Sequence, residues 1–131
     1  MSASQEESRD SSSPDAAALP AFSRLAEGAF HARLAATAGV AVVLFSAPHC
    51  GACRAWKHLL PDALSGLADC LFEVDVSEAT GVARYFGIFH LPTVYLYRGG
   101  QFHAELQCEA RQEVIHEMAR QLLAAPAQDE P

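Results

Sequence analysis

Cysteine is scarce in this sequence: Cys50, Cys53, Cys70 and Cys108 are four among 131 residues. That is too few for a small scaffold stapled by disulfides. No run of about 18 apolar residues occurs, so no membrane-spanning helix is expected. The first 20 residues lack a basic stretch followed by an apolar one, so they do not read as a secretory signal. Basic residues are few, 9 Lys and Arg against 16 Asp and Glu, for a net charge of -7. Without a basic stripe, nucleic acid and anionic membranes are poor partners. There is no Gly-rich phosphate loop, no G-x-S-x-G and no carboxylate pairing of the hydrolase kind.

Half of the residues are hydrophobic, and they are spread over the chain after about residue 20. The length suits one compact domain. Residues 1–20 are rich in Ser, Ala and acids and offer little to bury, so they are expected to form a disordered acidic tail. Residues 21–124 are the expected domain, and 125–131 a flexible C-terminal tail. Most of the negative charge lies in these two tails, with Glu6, Glu7, Asp10 and Asp15 at one end and Asp129 and Glu130 at the other. The absence of an export signal suggests a cytoplasmic protein. In that compartment a C-x-x-C pair is catalytic or metal-binding more often than structural.

Val40–Phe45 is a nearly continuous apolar run, the pattern of a central strand covered on both faces. A loop over Ser46–His49 leads into Cys50-Gly51-Ala52-Cys53 and then a helical pattern, which Pro61 would kink or divide. Leu71–Val76 alternates as a strand. Ser77 is a plausible N-cap for a short helix to about Tyr85, with Gly87 as its stop. Thr93–Tyr97 and Gln101–Gln107 read as a hairpin around Gly99-Gly100. Val114, Ile115, Met118, Leu122 and Leu123 share one side of a last helix from about Ala110. Ahead of the first clear strand, Phe22–Leu25 with Gly28–Ala36 reads either as an edge strand and a helix or as one longer helix. The order predicts an α/β fold, a mixed sheet with helices on both faces.

A C-x-x-C pair between a strand and a helix has a physical logic. At the helix N-terminus, unpaired N–H groups and the macrodipole favour an anion at Cys50. An ordinary thiol is about 3% thiolate at pH 7, and a pKa near 7 makes that roughly half. Cys50 is then the attacking sulfur, and Cys53, one turn on and less exposed, resolves the mixed disulfide. The same spacing is half of a zinc site. Zinc needs about four ligands, Cys70 and Cys108 fall on separate strand ends, and there is no second pair, so no metal is expected. Of the histidines, His49 and His90 are candidates for one groove; His31, His58, His103 and His116 are expected at the surface. Trp56, Tyr85, Phe86 and Phe89 are expected in the core or on its rim. Cys70 is expected to be core packing.

The segments VVLFSAPHCGACRAW, FEVDV and YFGIFHLPTVYLYRGGQF, in that order, resemble the thioredoxin family over about residues 21–124. The resemblance implies a thioredoxin fold, thiol–disulfide exchange at Cys50 and Cys53, and no bound cofactor. It implies protein disulfides as substrates and a reductase or partner dithiol as electron donor; a monomer is expected. It also implies a cis bond before Pro92, with Leu91 and Pro92 facing the cysteines and guiding an extended substrate chain; together with His49, Gly51, Ala52, His90 and Thr93 they are the expected substrate-docking edge. This chain departs from the family pattern at several positions. His49 stands where Trp is usual and Ala52 where Pro is usual; Gly-Pro goes with strongly reducing members. Each 30 mV of potential is about 1.4 kcal/mol. Leu44 matches the family's buried acid and Glu73 the neighbouring Lys, which makes Glu73 a candidate for the relocated acid. Cys108 matches a Gly flanking the docking surface and is a candidate third thiol. The alternative function is a binding module or assembly chaperone on the same fold, with slow or secondary redox activity.

Overall fold

The computed structural model describes residues 21–131; the expected N-terminal tail lies outside the described residues. The elements run β1 (Phe22–Arg24), a 3-10 turn (Glu27–Ala29), α1 (Phe30–Ala35), β2 (Val40–Ser46) and α2 (Gly51–Ala63). They continue with β3 (Cys70–Asp75), α3 (Thr80–Phe86), β4 (Thr93–Arg98), β5 (Gln101–Glu105) and α4 (Gln112–Ala124). The ambiguous first segment is therefore an edge strand followed by a helix.

One five-stranded sheet runs β1-β3-β2-β4-β5. β3 pairs in parallel with β1 and β2, whereas β4 is antiparallel to β2 and β5. All seven residues of β2 are buried, because it lies mid-sheet with a helical layer on each face. Its alternation divides the core in two. Val40, Val42 and Leu44 meet Trp56 and Leu60 of α2 and Ile115, Ala119 and Leu123 of α4. Ala41, Val43 and Phe45 meet Phe30 and Leu34 of α1 and Val82 and Phe86 of α3.

Several local expectations are corrected. Pro61 sits inside α2 without ending it; the helix stops two residues later. Ser77 does not cap α3. Its N–H and hydroxyl instead both donate to Asp75 Oδ1, at 2.8 and 2.6 Å, and α3 begins at Thr80 without a side-chain cap. A carboxylate two residues upstream offers a local turn that competes with capping. Gly87 does end that helix, at φ 65°. The last helix starts at Gln112, and Ala119 rather than Val114 or Met118 is in its fully buried stripe. His103 is buried, with Nε2 2.8 Å from the Leu122 carbonyl. His116 is half-buried, with Nδ1 2.9 Å from the Ala63 carbonyl. Both rings therefore dock α4 rather than face water.

The tail after Ala124, read from the sequence as flexible, has specific contacts. The Gln128 N–H donates to the His103 carbonyl at 2.7 Å, and the Glu105 N–H donates to Gln128 Oε1 at 3.1 Å. Both groups lie on the open side of β5, the last strand of the sheet.

Candidate redox site

The site grows from the end of β2. Antiparallel pairing sets Phe45 opposite Thr93, so the loop leaving β2 and the loop entering β4 emerge at one end of the sheet. Pairing of Tyr95 with Glu105 brings the end of β5, and the segment with Cys108 beyond it, to that same end. Three separated stretches of sequence thus converge because their strands are neighbours.

Cys50 is the N-cap of α2, with extended backbone, and its Sγ accepts the Cys53 N–H at 3.2 Å. The two cysteines are joined as a disulfide. Cys53 is 3% exposed and Cys50 is half-buried, so the two sulfurs differ in access. A sulfur at a helix N-terminus accepting a backbone N–H is favoured as an anion. His49, just before it, is exposed with φ 66°, a left-handed conformation uncommon outside glycine. Gly51 and Ala52 are exposed on the first turn.

The facing loop holds His90 exposed, Leu91 and Pro92 half-buried and Thr93 buried. The Leu91–Pro92 peptide is cis. The Thr93 hydroxyl donates to the His90 carbonyl at 2.8 Å, which closes the loop on itself. Phe89 is 95% exposed and Tyr85 58%, so neither is core; Trp56 and Phe86 are.

Leu44 is fully buried and pairs in register with Glu73 on β3. Glu73 therefore projects on the α2 side of the sheet. Its Oε1 is 2.8 Å from Lys57 Nζ, and its Oε2 accepts the Ser46 hydroxyl at 2.8 Å. Burial pushes this carboxyl up. Hydrogen bonds from Lys57 and Ser46, with the charges of Lys57 and Arg24, outweigh burial and hold it below the ordinary 4.5. Lys57 lies four residues after Cys53, on the same helix face. Its part in the site was missed from the sequence, and that spacing is the signal that would have found it.

Cys108 is half-buried against the α2–α4 core, and burial together with Glu109 pushes its thiol up. That is the opposite of what an activated thiol needs. Cys70 is likewise a free, half-buried thiol. Among the described residues, no group of three or more His, Cys, Asp or Glu is placed to hold a metal ion, and no helix is long and apolar enough to cross a membrane. What the arrangement can do chemically is cycle one accessible and one buried sulfur between dithiol and disulfide.

A family model described as thioredoxin matches residues 21–121. Over 61 residues the chain is 38% identical to Thioredoxin H2-2 of Oryza sativa subsp. japonica, covering 46% of each protein. The chain thus spans about half the length of that relative. Among solved structures, human ERp44 in its zinc-bound form superposes with a TM-score of 0.63 at 20% identity, over 76% of this chain and 30% of that one. Form II of human ERp44 gives 0.65 at 20% identity, over 76% and 29%. At that identity the likeness speaks for the fold alone.

Proposed function

The chain belongs to the thioredoxin family, a family of thiol–disulfide oxidoreductases, and from that premise we propose that it exchanges a Cys50–Cys53 dithiol with the disulfides of proteins. One observation carries the reading: a half-exposed sulfur at a helix N-terminus is followed one turn on by a buried one. In the forward direction the Cys50 thiolate attacks one sulfur of the substrate disulfide. A Cys50–substrate bond forms, the substrate S–S bond breaks, and the departing thiolate takes a proton. Cys53, once deprotonated, attacks Cys50 Sγ and expels the second substrate thiolate. The substrate gains two electrons and two protons, and the pair loses them. A partner dithiol or a reductase returns them. His49, Gly51, Ala52, His90, Leu91, Pro92 and Thr93 form the edge on which an extended substrate segment docks.

A second reading has its own observation. Leu44 fills the position of the family's buried acid and is fully buried, which leaves Cys53 with no proton acceptor there. That favours a binding module or assembly chaperone whose exchange is slow. Dithiol-driven reduction of insulin separates the two readings. An oxidoreductase turns insulin over and Cys53→Ser abolishes turnover while accumulating a mixed disulfide. Turnover at background in the unmodified chain refutes the first reading and leaves the second.

A further inference from the structure

The C-terminal segment does something that neither the fold nor the exchange reaction requires. It is irregular, and its residues are exposed, yet it follows the open edge of β5. The Gln128 main chain and side chain bond the His103 carbonyl and the Glu105 N–H, two outward groups spaced as in a strand ladder. Farther on, Glu130 Oε1 accepts the Tyr85 hydroxyl at 3.3 Å. Pro131 then lines a cavity of about 180 Å³ shared with Phe89, His90, Thr93 and Gln107. The segment therefore runs from the sheet edge to the loop that leads into Pro92.

We propose that residues 126–131 are a strap lying in cis over part of the docking edge, which a protein segment must displace to reach Cys50. This rests on the docking role assigned above to His90 and Thr93. An extended partner adding to the β5 edge would use the same His103 and Glu105 groups, since an open strand edge pairs with any extended chain. Three hydrogen bonds from exposed residues hold the strap, so it is displaceable. A small reagent, which needs only the sulfur, is indifferent to it.

Gln128→Pro in the full chain removes the donor N–H and the accepting side-chain oxygen together. Hydrogen exchange at the Glu105 amide reads the strap and is expected to speed up about tenfold. Alkylation of reduced Cys50, followed by mass, reads access. A maleimide carried on an extended heptapeptide is expected to react about threefold faster in the variant, and iodoacetamide at an unchanged rate. Glu130→Ala with Tyr85→Phe frees the far end without altering the main chain and is expected to shift the same ratio. Unchanged Glu105 exchange, or equal gains for both reagents, overturns the strap. None of these readings needs turnover. Absent insulin reduction with a shifted ratio would refute the oxidoreductase reading and support the strap.

Discussion

Replacing Glu73 by Gln isolates one interaction. The amide is nearly isosteric, and its carbonyl oxygen can still accept the Ser46 hydroxyl, now 2.8 Å from Oε2. What is lost is the ion pair with Lys57 at 2.8 Å. A hydrogen bond to a charged group nets about 1.5–3 kcal/mol in general. The Lys57 side chain is 46% exposed, so solvent screening brings the expected cost to about 1 kcal/mol. Glu73→Ala also orphans the hydroxyl of Ser46, which is only 5% exposed; that adds about 1–2 kcal/mol. In urea, with a slope of about 2 kcal/mol per molar, the midpoint falls by about 0.5 M for Gln and about 1–1.5 M for Ala. The sign with pH follows from the lowered carboxyl. Its stabilisation is complete above pH 4.5 and fades as pH falls through the lowered value. The gap between the parent and Glu73→Gln is therefore constant from pH 6 to 9 and narrows below 4.5. Equal midpoints at pH 7, or a gap that widens in acid, refute the reasoning. Mixed-disulfide resolution in Glu73→Gln tests the separate idea that this residue serves Cys53 as proton acceptor; a rate unchanged across pH 6–9 rules that out.

Gly100 has φ 83°, and a Cβ there would lie 2.8 Å from the Ala35 carbonyl oxygen. Gly100→Ala is expected to cost at least about 1–2 kcal/mol, measured by thermal unfolding; an unchanged midpoint contradicts this. The Tyr97 hydroxyl is buried without a hydrogen-bond partner among the described residues. Tyr97→Phe is therefore expected to be neutral or stabilising by up to about 1 kcal/mol, and a clear loss of stability would point to a partner for it. With the Cys50–Cys53 pair oxidised, Cys108 is expected to alkylate at pH 7.5 more slowly than free cysteine, because burial and Glu109 push its thiol up; labelling as fast as free cysteine argues for an activated thiol.

Much of this molecule can be read from periodicity. The six-residue apolar run Val40–Phe45 of β2, the alternation of β3 and the Gly99-Gly100 turn, with φ 59° and 83°, each declare themselves locally. So does the C-x-x-C pair at the strand–helix junction. What escaped depends on contacts that periodicity does not encode. Ser77 looks like a cap until Asp75 engages it. His103 looks like a surface residue on an alternating strand. However, the register with β4 skips it, Leu96 pairing with Ala104 and Tyr97 with Phe102, and the ring turns to the end of α4. The spacing of Lys57 from Cys53 places it on the helix face toward the site, but only the pairing of β2 with β3 brings its partner Glu73 beneath α2. The segment after Ala124 has no periodicity at all, and its contacts are made through backbone and polar ends.

Cys50 and Pro92 sit in loops attached to adjacent strands, and the pairing of Phe45 with Thr93 acts as a ruler between them. The register of β2 and β4, in a buried part of the sheet, sets where both loops begin. A change of length in the α2–β3 or β5–α4 connections leaves that spacing alone. His49, Ala52 and His90 lie outside the paired strands, so substitutions there leave the strand register alone. An insertion inside β2 or at the start of β4 would misalign the two loops at once. The strand register can thus stay fixed while the residues of the loops around it vary.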